Sequence, residues 1–179
     1  MILTGPEITA AAHDGRLAIA PFEPEQVNPN SYNVRLGPTL LTYTSPVIDP
    51  HRPNPTQEVE IGPGGCVLQP GELYLGHTLE RVGSDSFVPL LFGRSSVGRL
   101  GLFVEITAPI GDIGFHGQWT LMLSPIRPLR VYAGMKIGQI MFFVSTGPIA
   151  PYCGKYQAAT GPQPSCYWQD VTRIQAVAS

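Results

Sequence analysis

Phe87-Val88-Pro89-Leu90-Leu91-Phe92-Gly93-Arg94-Ser95-Ser96-Val97-Gly98-Arg99-Leu100-Gly101-Leu102 bears on both the architecture and the chemistry of this chain. The apolar run Phe87 to Phe92 ends at a glycine and reads as a buried strand. Gly93 then allows a tight turn into a short helical turn. That turn carries two arginines and two serines, the donors of an anion cradle. Guanidinium groups give bidentate hydrogen bonds, while hydroxyls and exposed N–H groups supply the rest. A surface turn braced by ion pairs has the same composition. Charged residues make up 13% of the chain, about half the usual share. Two arginines placed together in so sparsely charged a chain favour a polyanionic ligand, a phosphate chain above all.

On either side of this stretch the pattern is of short strands cut by turns. Strands are expected at Ser31 to Leu36, Leu40 to Tyr43, Gly65 to Leu68, Leu73 to Leu79, Phe87 to Phe92, Phe103 to Thr107, Gln118 to Leu123, Leu129 to Tyr132 and Lys136 to Val144. Gly37-Pro38, Gly62-Pro63-Gly64-Gly65, Pro70-Gly71, Ala133-Gly134 and Gly147-Pro148 separate them. One helix is expected at the N-terminus. Thr4-Gly5-Pro6-Glu7 has capping-box spacing, Ile8, Ala11 and Ala12 form an apolar stripe, and Gly15 suits the C-terminal cap. Asp49 to Thr56 reads as a proline-rich loop and the chain after Pro148 as an irregular tail. The 20 glycines and 19 prolines are spread along the sequence, as in an all-β sandwich or barrel. We expect one domain over 1–179, with 148–179 as a C-terminal lid.

The sparse charge implies surface covered by other subunits. A net charge of −2 gives a nucleic-acid groove no bulk electrostatic support. Met1-Ile2-Leu3 is too short for a signal peptide, and no stretch approaches the ~18 apolar residues of a membrane span. Cys66, Cys153 and Cys166 are odd in number without a pairing pattern. The expectation is a soluble cytoplasmic protein with reduced thiols, binding neither nucleic acid nor membrane.

Several chemistries fail on spacing. A zinc deaminase needs paired thiols and a histidine-proximal glutamate. Here no Cys-x-x-Cys occurs, and His77-Thr78-Leu79-Glu80 is wrongly spaced. A serine-hydrolase elbow would need glycine where Val97 stands. Asp112 lies in the loop Thr107-Ala108-Pro109-Ile110-Gly111-Asp112-Ile113-Gly114-Phe115-His116-Gly117. A carboxylate there either braces a turn or orients a sugar hydroxyl or a water.

Taken together, the arginine–serine stretch, Thr107-Ala108, Asp112, Gly117 and Gly134-Met135-Lys136-Ile137-Gly138-Gln139-Ile140 resemble the dCTP deaminase branch of the trimeric dUTPase superfamily. Asn28-Pro29-Asn30-Ser31-Tyr32-Asn33-Val34-Arg35-Leu36-Gly37 is similar to that branch's first motif. Lys155-Tyr156-Gln157-Ala158-Ala159-Thr160-Gly161-Pro162-Gln163-Pro164-Ser165 is similar to its lid motif. The resemblance runs in order over nearly the whole chain. It implies a distorted jelly-roll or β-barrel homotrimer with active sites shared between subunits. By position, Arg94, Ser95, Ser96 and Arg99 hold the triphosphate of a deoxynucleoside triphosphate. Thr107 and Ala108 meet the base through backbone groups, and Asp112 meets the deoxyribose. Lys155 and Tyr156, with Tyr152, close over the phosphates. Mg²⁺ accompanies the triphosphate, and zinc is not used.

The chain also departs from that pattern. Counting from Gly117, the position where family deaminases carry a proton-shuttling glutamate holds Met122. Asn33 replaces the first motif's aspartate, and Ala159 stands in place of the lid's second glutamine. A thioether moves no proton, and loss of a general acid/base costs about 10²–10⁴-fold. Glu105, on the preceding expected strand, is a candidate substitute. An apolar residue at position 122 is what dUTPases resemble; they need only the counterpart of Asp112 to position water. Three outcomes follow: a dCTP deaminase with an altered constellation, a nucleotide diphosphatase using Asp112, or a non-catalytic nucleotide-binding protein.

Overall fold

The computed structural model describes residues 1–171. Helix α1 (Gly5–His13) leads into β1 (Ala18–Ala20), a 3-10 turn (Pro24–Gln26), β2 (Tyr32–Arg35), β3 (Thr39–Tyr43) and β4 (Thr56–Glu60). There follow β5 (Cys66–Leu68), β6 (Tyr74–Gly83), β7 (Phe87–Gly93) and the helical turn α2 (Ser95–Gly98). The regular elements end with β8 (Leu102–Phe103), β9 (His116–Pro125), β10 (Leu129–Val131) and β11 (Lys136–Val144). The chain is all-β with a short N-terminal helix, as expected.

All strand pairs are antiparallel. One sheet runs β4-β3-β6-β9-β8 with β1 on β6; a second is β2-β11-β7; a third is β10-β5. One apolar cluster joins them, with Ile8, Leu36, Leu40, Leu68, Leu121, Ile140 and Phe142 fully buried. Strand β9 alternates strictly: Gly117, Trp119, Leu121 and Leu123 are buried, while Gln118, Thr120 and Met122 are half-buried. That is the period-2 signature of a strand with one face in the core.

Within the core, Glu80 has no exposed surface. Its carboxylate takes the Arg35 Nε at 2.7 Å, the Arg35 backbone N–H at 2.8 Å and the Gln26 amide at 3.0 Å.

Three expectations need correction. The capping box is absent: Thr4 makes no side-chain cap bond, and Glu7 pairs with Arg16 at 2.9 Å instead. Gly15 does take the left-handed conformation (φ 82°) that ends the helix. The strand expected over Phe103 to Thr107 stops at Phe103. There the chain folds into a turn in which the Glu105 carboxylate accepts the Ala108 N–H. Two further strands were not foreseen, β1 and β4. The tail lacks regular structure from Pro148 through Cys166, and residues 172–179 of the expected lid lie outside the described residues.

Candidate active site

The loop after β8 is tied to the body of the fold before it reaches Asp112. Leu91 N–H donates to the Pro109 carbonyl and Gly111 N–H to the Pro89 carbonyl, each at 2.8 Å. Gly111 lies against the Trp119 ring: a Cβ there would stand 2.0 Å from Trp119 Cη2. Trp119 is itself fixed by its Nε1–H to the Val82 carbonyl at 3.1 Å. Edge-on contacts from Trp119 to Phe115 (5.7 Å) and from Phe115 to Tyr152 (6.0 Å) extend this support into an aromatic wall.

The tail crosses the half-buried face of β9 and encloses a cavity of about 490 Å³, an ordinary volume for a small-molecule site. Many of its bonds run from backbone N–H groups to side chains. Gly161 N–H donates to Gln118 Oε1 (2.7 Å), Gln163 N–H to Thr120 Oγ1 (3.0 Å) and Ser165 N–H to the Tyr43 hydroxyl (2.9 Å). Cys166 N–H donates to the Tyr156 hydroxyl (2.9 Å), and Tyr156 N–H to the Tyr152 hydroxyl (3.1 Å). Ala158 adopts φ 60°, an uncommon left-handed turn for alanine. The next residue, Ala159, accepts the Gln118 backbone N–H at 2.9 Å.

Of the residues named from sequence, Ala108, Asp112, Met122, Tyr152, Tyr156 and Ala159 come together around this cavity. Among the described residues, Asp112 is its one lining carboxylate. Met122 sits in the cavity-facing phase of β9 and lines the cavity together with Leu73 and Leu75. Glu105, Thr107 and Lys155 are not part of the lining. Glu105 is occupied with Ala108. Lys155 lies over the Tyr156 ring (5.8 Å) and is paired with Asp170, whose carboxylate raises the ammonium pKa.

The arginine–serine cradle is likewise separate. Arg94 caps α2 and braces one guanidinium N–H on the Lys136 carbonyl (3.3 Å). Ser95, Ser96 and Arg99 are exposed. None of the four lines the cavity. Sequence reasoning missed Tyr43, Gln118, Thr120 and Gln163. The alternation along β9 held a signal for Gln118 and Thr120, which share a strand face with Met122. Tyr43 and Gln163 meet the cavity through the path of the tail, which no local pattern encodes.

A β-walled cavity of this volume, crossed by a C-terminal segment, has the shape of a small-molecule site. The dCTP deaminase-like family model matches residues 2–145. The protein named "dCTP deaminase, dUMP-forming" of Leptospira biflexa is 47% identical over 171 residues, covering 95% of this chain and 98% of that one. Its namesake in Clostridium acetobutylicum is 45% identical with the same coverage. The crystal structure of 2'-deoxycytidine 5'-triphosphate deaminase from Agrobacterium tumefaciens superposes with a TM-score of 0.65 at 25% identity. That match covers 80% of this chain and 48% of the other. The chain belongs to the dCTP deaminase-like family. Its place is thus in nucleotide metabolism.

Proposed function

We propose that this protein binds a pyrimidine deoxynucleoside triphosphate with Mg²⁺ and releases pyrophosphate from it, without deaminating the base. The observation that carries this reading is the cavity's inventory of proton-transfer groups: Asp112 is the one lining carboxylate, and Met122 occupies the β9 position. Forming dUMP from dCTP takes two hydrolytic events, loss of ammonia at the base and loss of pyrophosphate at phosphorus. Attack at the base needs a group that takes a proton from water and gives it to the leaving amine. The Met122 thioether does neither. Attack at phosphorus is mostly positioning and charge stabilisation, within the reach of a carboxylate that orients water.

Mg²⁺ is a hard cation that prefers oxygen ligands and arrives on the substrate's phosphates, where it neutralises charge on the phosphoryl oxygens. Among the described residues no cluster of three His, Cys, Asp or Glu side chains could hold the ion by itself, which suits a cation carried in by the nucleotide. The cradle residues Arg94, Ser95, Ser96 and Arg99 then hold the triphosphate. Their separation from the cavity within one chain, and the exposed apolar side chains of Phe92, Leu100 and Phe103 nearby in sequence and of Ile126, whose N–H bonds the Gly101 carbonyl, support a homotrimer in which one subunit's cradle completes another's cavity.

The test is incubation with Mg²⁺ and each deoxynucleoside triphosphate while ammonia, pyrophosphate and nucleotide products are followed. The expected result is pyrophosphate without ammonia, abolished in Asp112→Asn. Arg94→Ala should weaken triphosphate binding by about 1.5–3 kcal/mol, the loss of a charged hydrogen bond. Ammonia from dCTP, or binding without turnover of any nucleotide, would refute the proposal.

A further inference from the structure

Gln157 lies outside the cavity, yet its side-chain amide is bound to the loop that carries Asp112. Nε2 donates to the Gly114 carbonyl at 2.6 Å, and Oε1 accepts the His116 N–H at 3.0 Å. One amide thus pairs with the loop as a neighbouring strand would, giving a donor and taking one. Beside it, Tyr152 N–H donates to the Ile113 carbonyl at 2.7 Å. Gly114 fits this arrangement by its shape. It has φ 92°, and a Cβ there would stand 2.7 Å from both Pro151 Cβ and Tyr152 N.

The loop is therefore held along two edges. On the body side are the Leu91–Pro109, Gly111–Pro89 and Gly114–Ser84 backbone bonds, all at 2.8 Å. On the tail side are Tyr152 and Gln157. Asp112 lies between these two sets of anchors.

We propose that Gln157 is a positioning residue: it makes the placement of the Asp112 carboxylate depend on the docking of the tail. This rests on the reading of Asp112 as the water-orienting group. With the tail docked, the carbonyl of Gly114 and the amide of His116 are satisfied within the protein, and the loop has one conformation. With the tail lifted, both turn to water and Asp112 loses its fixed position. Water attack is thereby confined to the closed site, where the phosphates are covered. Gln157 also braces the tail's own turn, accepting the Ala158 N–H at 3.2 Å and donating to the Tyr152 carbonyl at 3.4 Å, so the exchange of the strap itself separates the coupling from docking. The strap's other attachments, to Gln118, Thr120 and Tyr43, do not touch the loop.

The test is Gln157→Met, which keeps the length of an exposed side chain and removes its hydrogen bonds. Hydrogen exchange of the nucleotide-free protein is followed over 109–117 and 159–165, alongside kcat and KM for pyrophosphate release. Exchange over 109–117 should rise about tenfold or more while 159–165 stays protected. kcat should fall about ten- to a hundredfold, the usual consequence of a misplaced reacting group, with KM nearly unchanged. Unaltered exchange over 109–117, or kcat and KM shifting together, overturns the coupling. If the wild-type protein releases no pyrophosphate, the proposed activity fails by itself, and the exchange measurement still decides whether Gln157 orders the Asp112 loop.

Discussion

If the proposed reading of position 122 is right, Met122→Glu should give the protein a deaminase activity. The backbone at this position is fixed: Met122 N–H donates to the Val104 carbonyl at 3.0 Å, and the residue pairs with Leu75 across β6 and β9. A glutamate of similar length would enter the cavity between the Gln118 and Thr120 side and the apolar patch of Leu73, Leu75 and Trp119. Burial disfavours its charged form, lifting its pKa from the usual ~4.3 towards the range where a carboxyl both accepts and returns a proton near neutral pH. A positioned acid/base is worth about 10²–10⁴-fold, or about 2.7–5.4 kcal/mol of barrier at 1.36 kcal/mol per decade. We expect the lower end, because Ala159 offers no amide to hold the base. The carboxyl would cost about 1–3 kcal/mol of stability, so the melting temperature is measured in parallel. The assay is ammonia release from dCTP with Mg²⁺. A variant that stays folded and binds nucleotide as the parent does, yet releases no additional ammonia, would refute the reading that position 122 is where the proton carrier is missing.

Gly111→Ala should push the Asp112 loop off Trp119, at the ~1–3 kcal/mol typical of overpacking; pyrophosphate release falls while tripolyphosphate affinity, measured by calorimetry, does not. Glu80→Ala should destabilise the fold by about 3–5 kcal/mol in urea unfolding, because it strands the Arg35 guanidinium, whose Nη2 is already buried without a partner. Burial holds the His77 imidazole below its usual 6.5, so the unfolded chain takes up the proton first as pH falls. Its contribution to stability is therefore full above about pH 6.5 and declines below it; His77→Gln should flatten that part of the stability–pH curve.

Where a strand's neighbours bury one face, the sequence carried the signal. Lys136–Val144 was legible to the residue, since β11 lies between β2 and β7 and its apolar positions are fixed by both. β4 was not legible, because Thr56-Gln57-Glu58-Val59-Glu60 lies at a sheet edge with mostly solvated side chains. β1 is three residues long and takes its conformation from β6. The loss of strand after Phe103 has a specific cause: the Glu105 carboxylate closes a turn onto Ala108, an alternative to the ladder that alternation does not reveal. Side-chain chemistry singled out Arg94 and Asp112, and the family resemblance singled out Met122; of these Asp112 and Met122 line the cavity. The cavity itself depends on a tail that returns to β9 and β3 from far along the chain.

That return is built asymmetrically. From Ala159 to Ser165 the tail offers mainly its peptide groups, while the receiving surface offers the specific side chains of Gln118, Thr120 and Tyr43. Peptide groups are common to every residue except proline's missing N–H. Most of the tail's side chains here are therefore free to drift, so long as proline avoids 161, 163 and 165; Gly161, at φ 70°, and Thr160, whose hydroxyl accepts from the Arg81 guanidinium at 3.3 Å, are held to type. The wall is not free to drift, since each of its three contacts needs an oxygen at a fixed height. Variation among natural or engineered versions should accordingly gather in the strap, and a strap of different lettering could be transplanted onto the same wall without redesigning the barrel.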